Sequence, residues 1–204
     1  MTQRNQKIVQ PAQVRDVNVI DLILLDHKYL KDCIKVLKDE DSEKKKKMTI
    51  SKGFLDALTK HSLAEKKAIY APLESNAELH FNILEAEIEH GIVDKKVSLL
   101  KRRLTHARVL SDETEAELKV LAELVEHHLK EEESEMLPKM KDQLSDEELN
   151  QFGVRFMKLR KFTEKDLFEF PVLEDQLIQW KDSVQKLSTQ FLSKMDRYVE
   201  NLKH

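Results

Sequence analysis

Apolar residues recur at spacings of three and four along stretch after stretch of this sequence, and only 3 glycines and 4 prolines interrupt 204 residues. That period lays a single apolar stripe along a helix, and a helix so striped must bury the stripe against a neighbour. With 40% apolar and 36% charged residues, and Lys, Glu, Leu and Ala abundant, the composition favours an all-α protein.

The first stripe, Val17 to Lys38, runs through Ile20, Ile23, Leu24, His27, Leu30, Ile34 and Leu37. Asp39 to Lys47 is a charged break whose four consecutive lysines predict a solvated loop. The second stripe, Thr49 to Ala71, carries Phe54, Leu58, His61, Glu65, Ala68 and Ile69, and Pro72 marks its end or a kink. The third, Asn76 to Val109, carries Leu79, Ile83, Ala86, His90, Val93, Val97, Leu100 and Leu104. Gly91 inside it either weakens the helix by about 1 kcal/mol relative to alanine or admits a close helix approach. Ser111 or Asp112 caps the fourth, which reads Leu118, Leu121, Val125, His128, Glu132, Met136 and Met140, with Pro138 bending or ending it. A further capped start at Ser145 leads to Leu149, Phe152, Phe156 and Leu159, and a last stripe after Pro171 runs from Leu173 through Trp180 to Leu202.

Four consecutive helices on short loops predict an up-down four-helix bundle over residues 16–142. A disordered or extended N-terminus over 1–15 precedes it. Residues 143–204 add one or two C-terminal helices, which either cover a groove of the bundle or make the chain a homodimer rather than a monomer.

Several function classes drop out. A net charge of -3 gives no electrostatic reason to expect nucleic acid. The single cysteine, Cys33, excludes an internal disulfide framework, and its amphipathic setting predicts buried filler rather than a redox thiol. The N-terminus lacks the apolar run of a signal peptide, and no segment approaches the roughly 20 apolar residues of a membrane span. The expectation is a soluble, cytoplasmic protein without a membrane partner.

The chemistry lies in the histidines. His61/Glu65 and His128/Glu132 each set an imidazole and a carboxylate one turn apart on a single helix face. His27 and His90 stand alone on the other two stripes. All four replace an aliphatic residue on a buried face, whereas the stripes after Pro138 have no histidine. A buried carboxylate costs several kcal/mol unless it is paired or bound to a metal. Paired His–Glu units would neutralise themselves but leave His27 and His90 unexplained. One shared metal site accounts for all six. His127 shares its face with Glu131, Ser134 and Glu135 and so points to solvent or flanks the site, while His80, His106 and His204 read as surface residues.

Imidazole and carboxylate suit iron, manganese or zinc. Six ligands on one ion leave no open position; divided over two ions with bridging carboxylates, they do. Structural zinc is disfavoured by the lack of paired cysteines or a His-Glu-x-x-His motif. A ferritin-like centre would need two Glu-x-x-His motifs, and only Glu87/His90 is in place.

These residues resemble the hemerythrin-like HHE cation-binding domain. The matching stretches are Leu25-Asp26-His27, His61 to Glu65 running on to Pro72, Glu89-His90, and His127-His128 through Glu131-Glu132-Glu133 to Pro138. The distance back from Pro138 favours His128/Glu132 over His127/Glu131. The resemblance implies a non-haem di-iron centre with Glu65 and Glu132 bridging and His27, His61, His90 and His128 as terminal ligands. Oxygen-carrying hemerythrins have a fifth histidine four residues after the third-helix one, where this chain has Asp94. That departure turns the expectation from oxygen carriage toward binding or sensing of dioxygen or nitric oxide, or iron handling in redox stress. The alternative is a di-iron enzyme that decomposes peroxide or nitric oxide, or a role in iron–sulfur repair, although the cysteine-bearing N-terminal extension of some repair members is absent. No organic-cofactor or catalytic-triad motif accompanies the six residues, and the sequence leaves open whether the centre turns over substrate.

Overall fold

The computed structural model describes residues 18–160. The predicted N-terminal segment, the stripe after Pro171 and His204 lie outside them. Among the described residues, five helices and no strands occur, and the fold is an all-α bundle. No helix among the described residues is long and apolar enough to cross a membrane.

Helix α1, Val19–Lys38, starts where the Asn18 side chain accepts from the Ile20 amide, satisfying one of the free donors of the first turn. Helix α2 begins at Lys44 and stays α-helical to Glu65, widens into a π turn over Lys66–Tyr70, and finishes with Ala71–Leu73. Helix α3 is His80–His106. Helix α4, Asp112–Glu131, repeats the pattern of α2, with a π turn over Glu132–Met136 and a final stretch of Leu137–Gln143. Helix α5, Asp146–Arg160, packs on α1 and α2. Helices α1 to α4 form the bundle: α1 lies against α2 and α4, and α3 completes the square against the same two.

The two π turns explain what Pro72 and Pro138 do. Proline has no amide hydrogen to close an ordinary turn, and its ring clashes with the carbonyl four residues back. The amide just before each proline instead reaches back five residues, Ala71 to the Lys66 carbonyl and Leu137 to the Glu132 carbonyl. The helix is widened rather than ended, directly after Glu65 and at Glu132.

Among the described residues most of the predicted stripe is buried; Ile20, Phe152 and Leu159 are half-buried, and Leu24 is exposed at 41%. The core falls into two apolar clusters. One gathers Leu30, Ile34, Phe54, Val97, Leu121 and Val125; the other gathers Ile23, Ala68, Ile69, Ile83, Met136 and Phe156. Each buried Leu, Ile or Phe contributes about 1.5–3 kcal/mol relative to exposure.

Two expectations need correction, and one open alternative is decided. Lys44 to Lys47 are not a loop but the first turn of α2. Their charge opposes the helix dipole, and the acidic first turn of α4 offsets it: Lys44 pairs with Asp112, and the buried Lys47 donates to Glu115 at 2.6 Å. Helix α3 starts at His80 rather than Asn76 because the Asn76 side chain accepts from the Glu78 and Leu79 amides and holds a turn there. Gly91 admits no close approach, since a Cβ built on it would meet nothing within 4 Å.

Candidate metal centre

Between the two apolar clusters the bundle has a polar layer. His27, His61, Glu65, His90, His128 and Glu132 are all buried in it, one helix after another. His27, His61, Glu65 and Glu132 each bring a ligand-capable atom within 4.8 Å of the others, and Glu65, His90 and His128 do the same. All six residues singled out from the sequence therefore converge, in two groups that share Glu65.

Glu65 sits between the groups. Its Oε1 is 3.1 Å from His61 Nε2, and its Oε2 is 3.5 Å from His90 Nε2. Glu132 approaches both sides as well, with Oε2 3.2 Å from His27 Nε2 and 3.7 Å from His128 Nε2. Its Oε1 accepts from the Tyr70 hydroxyl at 3.0 Å. His90 Nε2 and His128 Nε2 lie 2.9 Å apart, a contact that two bare lone pairs would not make.

Each histidine aims Nε2 inward because its Nδ1 is held from outside, and the holders form a ring. His61 on α2 donates to Asp26 of α1 at 3.2 Å. His90 on α3 contacts Ser62 Oγ of α2 at 3.1 Å. His128 on α4 donates to Glu89 of α3 at 2.7 Å, and His27 on α1 donates to Glu133 of α4 at 2.9 Å. A carboxylate can only accept, so each Nδ1 it meets carries a proton, and Nε2 is the atom that faces the centre and offers a lone pair once the ring is neutral. Two holders are themselves gripped. Lys31 donates to Glu133 at 2.5 Å, and the buried Arg160 makes a two-pronged contact with Asp26 at 2.7 and 3.0 Å.

Charge follows the geometry. Burial works against a protonated His61, yet Glu65 and Asp26 beside it push its pKa up to about 10. Burial likewise opposes charge on His27 and His128, but Glu132 and Glu133 around the first and Glu89 beside the second hold both above the ordinary value. His90 is driven well below it by burial and by His128. Burial and the neighbouring Glu132 raise Glu65, whereas Glu132 is lowered despite burial because His27 and His128 flank it. Glu133 falls to about 2 through its hydrogen bond from His27. Protons thus supply the positive charge among these carboxylates.

The donor set fits a cation. His27 Nε2, His61 Nε2, both Glu65 oxygens and Glu132 Oε2 are buried atoms with no hydrogen-bond partner, and unsatisfied groups of this kind are uncommon in a folded interior. His127 lies on the surface with its imidazole on Glu131 at 3.2 Å, and His80 and His106 are exposed. Asp94 also stands apart from the two groups. It accepts from Lys66 at 2.6 Å and from Ser62 at 3.4 Å, so it backs the holder of His90. Sequence reasoning gave no role to Asp26, Ser62, Glu89, Glu133, Tyr70 or Arg160. Three of them, Asp26, Ser62 and Glu89, directly precede or follow a histidine in the chain, and that adjacency was the available signal.

A narrow cleft opens beside the centre, lined by Glu85, Glu89, Glu131 and Glu135 together with the buried His128 and Glu132. Comparison with the curated proteins and with the solved structures gives no significant match. The family profile of the Hemerythrin HHE cation binding domain matches residues 18–140, a stretch that contains all six converging residues and more than half of the chain. The chain therefore belongs to the hemerythrin HHE cation-binding family.

Proposed function

We propose that this protein holds a non-haem di-iron centre and uses it to bind or sense a small gaseous ligand, dioxygen or nitric oxide. His27 and His61 would hold one ion and His90 and His128 the other, with Glu65 and Glu132 bridging. The observation that carries this is Glu65: its two buried oxygens have no hydrogen-bond partner, and they face histidines of different groups. Manganese or zinc would accept the same donors.

Bound iron would supply redox chemistry and coordination positions for a small ligand. The chain's own part is to keep four imidazoles oriented, to hold water off with the flanking apolar clusters, and to leave the acidic cleft between α3 and α4 as an approach. The chain itself would then be soluble and cytoplasmic. Anaerobic reconstitution with Fe(II), followed by optical spectra under dioxygen and under nitric oxide, tests this. Spectral change with either gas supports the proposal, and an iron-loaded protein indifferent to both contradicts it.

Tyr70 favours a second reading, an enzyme that consumes peroxide or nitric oxide. Its buried hydroxyl donates to Glu132, and burial together with Glu132 keeps the phenol protonated well past the ordinary range. That places a hydrogen-bond donor against a carboxylate of the centre. Catalytic loss of peroxide that Tyr70→Phe slows supports this version; stoichiometric binding without turnover supports the first.

A further inference from the structure

Arg160 belongs to α5, beyond the matched stretch of residues 18–140, yet it reaches the wall of the centre. The residue is 1% exposed, a rare depth for arginine that calls for a compensating partner. Asp26 meets it with both oxygens, accepting from Nε at 2.7 Å and from Nη2 at 3.0 Å. The oxygen that takes Nε, Oδ2, also takes the His61 Nδ1 proton at 3.2 Å. One turn earlier on α5, Phe156 stands edge-on to the His61 ring at 6.2 Å and 79°. Helix α5 thus fixes His61 twice, through its Nδ1 and against its ring.

We infer that Arg160 is a positioning residue of the metal centre, acting through Asp26 on His61, so that docking of α5 and occupancy of the His27/His61 position are coupled. This rests on the two-ion proposal. The planar guanidinium fork holds a carboxylate in one orientation, and that carboxylate fixes the tautomer and direction of the imidazole and raises the basicity of Nε2. The His90/His128 position draws its outer contacts from Ser62 and Glu89 on α2 and α3, and none of these comes from α5. The coupling is reciprocal: whatever α5 adds to metal affinity at the first position, the metal returns to α5 docking.

The test is an anaerobic Co(II) titration of the full chain, followed by optical absorption, with thermal unfolding of each metal-free variant as a check on folding. Wild type takes up two equivalents. Arg160→Met keeps one at wild-type affinity and weakens the other by about 10–100-fold, the usual effect of losing an outer partner, with a changed absorption band. Arg160→Lys, which keeps the charge but not the fork, falls between. Asp26→Asn/Arg160→Met removes both buried charges, so it stays folded even where Arg160→Met does not, and it still binds one equivalent weakly. In wild type, Co(II) also slows proteolysis within α5. Folded variants that titrate like wild type overturn the inference alone, as does equal weakening of both equivalents or full recovery in the double variant. A wild-type chain that binds no Co(II) overturns the two-ion proposal and this inference with it.

Discussion

His27 donates its Nδ1 proton to Glu133 at 2.9 Å, and this contact closes a ring in which every helix of the bundle orients the histidine of the next. Helix α1 supplies Asp26 for His61, α2 supplies Ser62 for His90, α3 supplies Glu89 for His128, and α4 returns Glu133 to His27. The imidazoles are therefore set by tertiary packing and arrive oriented before any cation does. Such preorganisation lowers the cost of binding.

In the proposed centre Glu65 would carry the bridge. Glu65→Gln keeps the size of the side chain but replaces one oxygen by an amide nitrogen, which is no ligand for a hard cation. Metal analysis of this variant should show no more than about one ion per chain, with helical circular dichroism retained. Unchanged metal content would remove Glu65 from the site.

Metal uptake must displace protons. With His61 raised to about 10 in the absence of metal, this imidazole is protonated at pH 7, and a cation must expel that proton to bind. The sign follows: metal affinity increases as pH rises toward that value and falls as the solution is acidified. Calorimetric titrations in buffers of different ionisation enthalpy should show at least one proton released per chain at pH 7. Binding heats independent of buffer would contradict this.

Gly91 offers a stability gain. It lies inside α3 with open space where a Cβ would stand, so Gly91→Ala should stabilise the fold by about 0.5–1 kcal/mol through lower unfolded-state entropy and better helix propensity. Thermal unfolding would register this as a rise of about 2–4 °C for the upper figure. A fall would mean that the helix needs the glycine.

Cys33 is buried, and desolvation pushes its thiol up to about 12. Only the thiolate reacts, so iodoacetamide at pH 8 should leave the native chain unlabelled and modify it rapidly in denaturant. Prompt labelling of folded protein would show that this part of α1 opens.

The bundle was legible because burial on a helix face leaves a periodic trace. Val93, Val97 and Leu100 mark the inner face of α3, and the same periodicity separates His128 from its exposed neighbour His127. The turn chemistry was legible in part: Ser111 does cap α4, its hydroxyl accepting from the Thr114 amide. The lysine run was misleading because local charge pattern does not reveal that Asp112 and Glu115 of another helix face it. Asp26, Ser62 and Glu133 were hidden for the same reason. Each lies beside a candidate ligand in the chain but serves a histidine on a different helix, and only the packing of α1 to α4 joins them. Arg160 is the extreme case, a charge that reads as the polar end of an amphipathic helix until α5 is laid against Asp26.

We propose that six residues on four helices hold two iron ions. Metal analysis of the chain reconstituted with Fe(II) under anaerobic conditions, compared with His61→Ala, tests it most directly. About two irons per wild-type chain and a clear loss in the variant are expected, since each ion would need its own histidines. Wild-type protein that retains no iron, or the same iron content in both proteins, would contradict it.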